Sequence, residues 1–392
     1  MSQQLINLSP DLKRLRDEGY DIEIRDGYLL LKSVPFVNAR REIVYGVIVS
    51  TLDLAGDVTT KPKTHVVDFA GDYPCDKDGV ELHKIRCNSE QKNLGGQNVN
   101  HSFSSKPQDG YNDYFEKMAT YAAILSNPAQ ALDPSVTAKT FPVIADNEGI
   151  SVFNYVDTAS SRAEITQVIR KLELSSIGIV GLGGTGAYVL DLIAKTPVRG
   201  IHLFDGDRFS QHNAFRAPGA PSLDELKSSP QKVDYFKAIY SRMHRHIVAN
   251  SCFLDAGNLE LLEGLDFVFI CVDGGAAKRA IVDKLETLGT RFIDVGMGIN
   301  LVDNALYGIL RVTTCTPENY GLVQEKQRIP YTDGTFDNQY AKNIQIADLN
   351  ALNAALAVVR WKKLLGFYGD LEHEHFCTYT VDGNELINED RL

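Results

Sequence analysis

The chain has 392 residues, of which 44% are hydrophobic and 23% are charged, as is typical of soluble globular proteins. Its formal net charge of −11 argues against a general nucleic-acid-binding protein, which normally presents a basic surface. The six cysteines form no C-x-x-C pair, so neither a disulfide framework nor a cysteine-built zinc site is expected. Since the chain shows neither a signal core nor a long apolar run, we expect a cytoplasmic protein.

The pattern of residues 1–147 is mixed and predicts a smaller α+β domain. Its expected elements are, in chain order, a helix over Leu5–Gly19, a hairpin over Tyr20–Val34, strands over Arg41–Leu54 and Thr64–Gly71, a long loop over residues 88–112, and a helix over Asp113–Pro128.

Residues 148–392 alternate strands with helices, which predicts an α/β domain with a Rossmann-like, mostly parallel sheet. The expected elements are, in chain order, Ala163–Leu172, Ile177–Val180, Ala187–Ala194, Gly200–Phe204, Lys232–Met243, Asp266–Val272, Ala276–Leu288, Arg291–Val295, the amphipathic helix Ala347–Gly366 and a terminal hairpin over His375–Leu386.

The sequence IGIVGLGGTG places a G-x-G-x-x-G turn between an apolar strand and a helix. Gly181 permits the turn, Gly183 lets the backbone approach a phosphate, and Gly186 permits close packing of the helix on the strand. Asp205 ends the next strand about twenty residues later, where a carboxylate suits a ribose hydroxyl. These features fit NAD as well as ATP, and they leave both an oxidoreductase and an adenylating enzyme open.

The polar residues that follow favour a triphosphate. The stretch DGDRFSQHNAFR contains Asp207, Asn213 and Arg216, while Lys232 begins a helix and Asp273 ends a strand. Asparagine, arginine and lysine donate hydrogen bonds to phosphate oxygens, and an aspartate at a strand end suits Mg²⁺. ATP would use each of these groups, whereas no arrangement typical of a hydride-transfer site supports an NAD-linked oxidoreductase.

These motifs resemble those of the ubiquitin-activating superfamily, which includes the ThiF-type enzymes, over about residues 150–392. The family pattern has a GxGGxG turn, a D-x-D strand end, an N-x-x-R pair, a helix-borne lysine and a later aspartate. The matching residues are Gly181, Gly183, Gly184, Gly186, Asp205, Asp207, Asn213, Arg216, Lys232 and Asp273. One departure is Ala217, which follows Arg216 where the family often has glutamine.

The resemblance implies that ATP adenylates the C-terminal carboxylate of a small β-grasp protein. It implies that Asp205 binds the ribose, that Asn213, Arg216 and Lys232 contact the phosphates, and that Asp273 binds Mg²⁺. The setting it implies is a bacterial ubiquitin-like conjugation pathway of the kind associated with phage defence, with a conjugating enzyme as a further partner.

The same resemblance implies a homodimer in which an arginine from a helix before the first strand reaches the partner's site. Arg162 is the candidate, and Arg170 is the runner-up. Some family members also pass the activated protein to a cysteine in a crossover loop. Cys315 is the candidate nucleophile, because it is expected to open a loop-rich stretch that continues to about Asn343.

The N-terminal region resembles a ubiquitin-conjugating or RWD-type domain through Phe69, Tyr73–Pro74 and Asn127–Pro128. The His-Pro-Asn triplet of conjugating enzymes is absent, with His101 its nearest equivalent, so a binding domain is expected, and Cys87 is the alternative nucleophile. Other hypotheses keep adenylation but change the acceptor to a peptide or a tRNA base, or make the chain a pseudo-activating scaffold. A complete ATP set argues against a scaffold.

Overall fold

The computed structural model of the chain describes residues 2–146, 149, 151–273, 275–331 and 344–391. It divides into two compact units. The first unit consists of Met1–Glu148 and Tyr155–Glu164, and the second consists of Gly149–Asn154 and Ile165–Leu392. No helix in the described part of the chain is long and apolar enough to span a lipid bilayer.

The first unit is built on antiparallel strands. Its strands are β1 (Ile22–Arg25), β2 (Tyr28–Val37), β3 (Ile43–Thr51), β4 (Leu54–Ala55), β5 (Val58–Thr59), β6 (Val66–Ala70), β7 (Arg86–Asn88), β8 (Lys92–Leu94), β9 (Gln97–Val99) and β10 (His101–Ser104). Six of them form one sheet in the order β1-β2-β3-β6-β10-β7, and β4-β5 and β8-β9 are separate pairs. Its helices are α1 (Ser2–Leu8), α2 (Pro10–Asp17), α3 (Tyr114–Leu132) and α4 (Thr158–Arg162), with a 3-10 turn at His83–Ile85.

Two predictions for this unit differ from the structure. The helix expected over Leu5–Gly19, with its regular part starting at Ser9 and Pro10, has that part as α2, but the residues before Ser9 form a separate helix. Ser9 precedes Pro10 and adopts an extended backbone, as residues before proline prefer. The expected long loop over residues 88–112 contains three short strands. Because each of these strands has only three or four residues, most of them polar, no apolar alternation marks them in the sequence.

The second unit has an eight-stranded sheet. Its strands are β11 (Ile177–Val180), β12 (Ile201–Phe204), β13 (Ile247–Asn250), β14 (Phe267–Ile270), β15 (Arg291–Val302), β16 (Ala305–Cys315), β17 (Glu374–Thr380) and β18 (Glu385–Arg391). Their order is β13-β12-β11-β14-β15-β16-β17-β18. The first five are parallel, and β16, β17 and β18 extend the sheet as antiparallel strands. The predicted fold class, a Rossmann-like α/β sheet preceded by a smaller α+β domain, is confirmed.

The helices of this unit connect and cover the sheet. They are α5 (Thr166–Ile169), α6 (Thr185–Ile193), α7 (Gln211–Ala214), α8 (Leu223–Ser228), α9 (Lys232–Tyr240), α10 (Ala276–Leu288), α11 (Tyr320–Glu325) and α12 (Ala347–Leu364), with 3-10 turns at Arg170–Leu172 and Leu259–Leu262. The expected helix over Ala163–Leu172 is broken, because Glu164 has a left-handed φ of 58°. The fully buried Trp361 of α12 packs edge-on against Phe267 and Phe269 of β14. This contact anchors α12 to the central strands.

Candidate nucleotide site

The glycine turn joins β11 to α6, and the backbone there leaves little room for side chains. Gly181 has a φ of +87°, and a Cβ at this position would lie 2.8 Å from the carbonyl oxygen of Cys271. A Cβ on Gly186 would lie 1.9 Å from the carbonyl oxygen of Gly181. Glycine is therefore required at both positions, one for its backbone conformation and both for close packing.

A cavity of about 200 Å³ lies above this turn, at the carboxyl ends of the parallel strands. This edge of an open parallel sheet is where ligands of such folds bind. The structure brings eight of the predicted site residues to its wall: Gly181, Gly183, Gly184, Asp205, Asp207, Arg216, Lys232 and Asp273. A Cβ on Gly183 would have one neighbouring atom within 4 Å, the Oε1 of Gln345 at 3.9 Å. The backbone of this part of the turn is therefore open to a ligand.

Asp205 and Lys232 form the charged centre of the wall, and both are almost completely buried. The Asp205 carboxylate accepts hydrogen bonds from the Leu182 N–H at 2.7 Å and from the Asp207 N–H at 2.8 Å. Lys232 Nζ lies 2.7 Å from Asp207 Oδ2 and 3.6 Å from Asp205 Oδ1. Two carboxylates thus neutralise one buried ammonium at the start of α9.

Arg216 and Asn213 leave hydrogen-bond donors unused. Asn213 is 1% exposed, and its Oδ1 accepts a hydrogen bond from the Ser210 N–H at 2.8 Å. Its Nδ2 and the Nε of Arg216 have no hydrogen-bond partner among the described residues. An unpaired buried donor costs about 1–3 kcal/mol, so the Nε of Arg216, which lines the cavity, suits an anionic ligand. Asn213 was also predicted to contact the phosphates, but it does not line the cavity.

Asp273 follows β14 and places a carboxylate on the cavity wall. In the described part of the chain, no group of three or more His, Cys, Asp or Glu side chains is arranged to hold a metal by itself. Mg²⁺ usually takes one or two protein carboxylates, completing its shell with waters and substrate phosphates. A single carboxylate on the wall is compatible with a magnesium ion that binds together with a nucleotide.

A second cavity, of about 260 Å³, adjoins the first and shares Gly181, Asp205 and Asp273 with it. Its remaining wall is mostly apolar and includes Phe253 and Leu254. Purine bases favour apolar, aromatic surroundings, whereas phosphates favour the polar cavity. The two adjoining cavities together match the two ends of a nucleoside triphosphate.

The other two predicted catalytic residues are not among the residues that line the cavity. Arg162 is the last residue of α4 in the first unit, where its guanidinium lies 5.3 Å from the centre of the Phe141 ring. Cys315 ends β16, as expected of a residue that follows a strand, but the accessibility that a nucleophile needs is missing. It pairs with Phe292, is 1% exposed, and burial raises the pKa of its thiol well above the ordinary value. In the expected loop-rich stretch, Tyr320–Glu325 forms α11, and residues 332–343 lie outside the described residues.

Several cavity residues were not predicted. Thr185, Gln345 and Asn353 line the polar cavity, and Asn350 packs directly behind it. The available signal was the pair of asparagines three positions apart in the first half of α12, where most other residues are apolar. Polar residues at this spacing share one helix face, and a buried face needs partners for them.

Comparison with known families divides the chain in two. Residues 159–348 match the ThiF family, and residues 10–158 match a family described as a domain of unknown function, DUF6791. Ubiquitin-like modifier-activating enzyme 5 of Culex quinquefasciatus is 24% identical over 155 residues, covering 37% of this chain and 39% of that protein. The Gallus gallus protein of the same name is 23% identical over 163 residues, covering 39% and 41%. The chain thus spans about two fifths of the length of these relatives.

Solved structures with similarity to this chain include Escherichia coli MccB, at 17% identity and a TM-score of 0.46, covering 59% of this chain and 67% of that one. PaaA has 16% identity and a TM-score of 0.44, covering 58% and 76%. With its strand order, its glycine turn and its sequence match in agreement, this chain contains a ThiF family domain over residues 159–348.

Proposed function

We propose that this chain uses ATP and Mg²⁺ to adenylate the C-terminal carboxylate of a ubiquitin-like protein. The observation that carries the proposal is the meeting of Arg216, Lys232 and Asp273 on one cavity above the glycine turn of a ThiF family domain. A buried cation, an arginine with an unpaired donor and a strand-end carboxylate are the groups that a magnesium triphosphate requires.

Each part of the site then has a role. The backbone from Gly181 to the first turn of α6 binds phosphate oxygens, because helix N-termini carry unpaired N–H groups and a positive dipole end. The Asp205 carboxylate keeps free lone pairs besides the two that it uses, and these accept from the ribose hydroxyls. The apolar cavity beside Phe253 receives the base.

In the reaction, a carboxylate oxygen of the acceptor attacks the α-phosphorus of ATP. A new P–O bond forms an acyl-adenylate, and the bond to the bridging oxygen breaks with that electron pair leaving on pyrophosphate. Magnesium supplies charge neutralisation on the phosphates when bound. Lys232 and Arg216 stabilise the negative charge that develops on the leaving group. No protein general base is required, because the attacking carboxylate is already ionised at neutral pH.

A ubiquitin-like protein is the proposed acceptor because the curated relatives carry the name of a ubiquitin-like modifier-activating enzyme. The wider setting that we propose is a cytoplasmic, bacterial ubiquitin-like pathway with an anti-phage role and a conjugating enzyme downstream. We also propose a homodimer that supplies Arg162 across its interface. Because Cys315 is buried, no thioester on that residue is part of the proposal.

The proposal is tested by incubating the full chain with Mg²⁺, α-labelled ATP and purified ubiquitin-like proteins. We expect label to appear on one acceptor as an AMP adduct that hydroxylamine removes. The matched control is the same acceptor ending in a carboxamide, which lacks the attacking oxygen anion and should remain unlabelled. Equal labelling of the two forms would contradict adenylation of the C-terminus. Labelling of a short peptide or of tRNA instead would replace the proposed acceptor class.

A further inference from the structure

Asn350 lies in the first turn of α12, behind the cavity wall, and it is 1% exposed. Its Oδ1 accepts a hydrogen bond from Thr185 Oγ1 at 3.0 Å, and its Nδ2 donates to the carbonyl oxygen of Arg216 at 3.1 Å. It also packs tightly on the glycine turn, because a Cβ on Gly184 would lie 1.9 Å from its Nδ2. One side chain thus touches two segments that are far apart in sequence, the glycine turn with the start of α6 and the main chain at Arg216.

The residue one turn later makes a similar contact. Asn353 is fully buried, lines the polar cavity, and donates from Nδ2 to the carbonyl oxygen of Gly296 in β15 at 3.0 Å. The same helix face therefore holds the backbone on two sides of the cavity. The helix is a rigid support for these contacts, because Ala354, Ala357 and Trp361 are buried in the core of the unit.

We propose that Asn350 is a positioning residue of the ATP site. Its side chain fixes the position of Arg216 relative to the glycine turn, so that both can contact the triphosphate. The inference rests on the proposed function. Arg216 follows the four-residue helix α7 and stands between the exposed Phe215 and the buried Ala217, so its main chain runs along the edge of the core. The hydrogen bond from Asn350 pins its main chain. The contact with Thr185 fixes the first residue of α6 relative to the same side chain.

This geometry separates the two ends of the nucleotide. Asn350 contacts segments that form the phosphate end of the site, and neither it nor its two hydrogen-bond partners line the apolar cavity. Loss of the side chain should therefore weaken binding of the triphosphate without changing binding of the nucleoside. A merely structural residue would affect both ligands together, through the stability of the whole site.

The test is calorimetric titration of the full chain with ATP in the presence of Mg²⁺ and, separately, with adenosine. For Asn350→Ala we expect the Kd for ATP to rise about tenfold, the size of effect of losing one or two buried hydrogen bonds. The Kd for adenosine should stay unchanged. Asn350→Ser, whose hydroxyl is too short to bridge both partners, should act in the same direction and serves if the alanine variant does not fold. Asp348→Asn changes an exposed residue of the same turn and should leave both constants unchanged.

Equal Kd values for ATP in the wild type and in both Asn350 variants would overturn the inference, and so would a parallel loss of ATP and adenosine binding. Neither outcome contradicts the proposed function, because both are observed only when the wild-type chain binds ATP. A wild-type chain that binds no ATP would overturn the proposed function and this inference with it.

Discussion

The ammonium of Lys232 lies 2.7 Å from the carboxylate of Asp207, and Lys232 is itself only 5% exposed. The second neighbour, the buried Asp205, lies 3.6 Å from the same ammonium, whereas the Asp207 side chain is exposed to solvent. A bound triphosphate would bring further negative charge to the same ammonium. The pairing thus orients the lysine before the substrate arrives, which lowers the cost of reorganising it during the reaction.

Replacing this cation should remove catalysis without removing the fold. For Lys232→Met we expect the rate of acceptor-dependent pyrophosphate exchange to fall by about 10²–10³, the usual effect of losing one preorganised charge-stabilising donor. The control is Lys237→Met, an exposed lysine on the same helix, which should retain full exchange. A Lys232→Met protein with a normal melting curve and near-normal exchange would show that this lysine does not act on the phosphates.

The proposal that Arg162 of one subunit acts in the active site of the other is tested by mixing two inactive variants. Asp273→Ala should lack the magnesium ligand and Arg162→Ala the phosphate contact, so each alone should be nearly inactive. If Arg162 acts across a homodimer, a mixed dimer has one site with both wild-type residues. An equal, fully re-equilibrated mixture should then recover about a quarter of wild-type exchange. No recovery after verified subunit mixing would mean that Arg162 acts within its own chain or not at all.

The cysteines should differ in reactivity according to their burial. Cys87 is exposed on the short strand β7, whereas Cys315 is buried and its thiol pKa is raised. Because the thiolate is the reactive form, we expect iodoacetamide to label Cys87 at least about tenfold faster than Cys315 in the native protein. Mass spectrometry of timed samples gives both rates. In denaturant the difference should vanish, and rapid native labelling of Cys315 would contradict the buried position.

The burial of Lys117 predicts that the stability of the first unit depends on pH. It is fully buried, and loss of hydration lowers the pKa of its ammonium to about 8, although Nζ donates to Ser50 Oγ at 2.8 Å. The unfolded chain keeps the ordinary pKa and binds more protons between about pH 8 and 10.4, so stability from this group rises across that interval.

The check on Lys117 is amide hydrogen exchange over Tyr114–Leu132 in the wild type and in Lys117→Met. The difference in opening free energy, wild type minus variant, should increase by on the order of 1–3 kcal/mol between pH 7 and pH 10. Using the difference at each pH removes the intrinsic pH dependence of exchange and the titration of other groups. A constant or falling difference would show that the buried ammonium keeps an ordinary pKa.

Much of the site was predictable because its residues follow strand ends that the sequence marks clearly. The apolar run before Gly181 and the polar residues after Phe204 and Ile270 meet at one edge of the sheet, as parallel pairing requires. The predicted helix Ala276–Leu288 has the same limits in the structure, since Gly289 provides a left-handed C-terminal cap.

The contributions of α12 and β16 were not predictable in the same way. Asn350 is 165 positions from Thr185 and 134 positions from Arg216 in the sequence. No local sequence pattern indicates which distant group a buried amide side chain will contact. Cys315 was expected to follow a strand and open a loop, and its position at the end of β16 agrees with this, but its burial was not predictable. That strand pairs with β15 over eleven residue pairs, and its last residues are buried by tertiary packing rather than by any feature of their own sequence.

The most direct test of the central claim is pyrophosphate exchange. Labelled pyrophosphate is added to the full chain with Mg²⁺, ATP and ubiquitin-like proteins, one at a time. We expect label to enter ATP with one acceptor and only when that acceptor has a free terminal carboxylate. The exchange should be lost in Lys232→Met and kept in Lys237→Met. A chain that binds ATP yet catalyses no exchange with any carboxylate-ended acceptor would contradict adenylation as its activity.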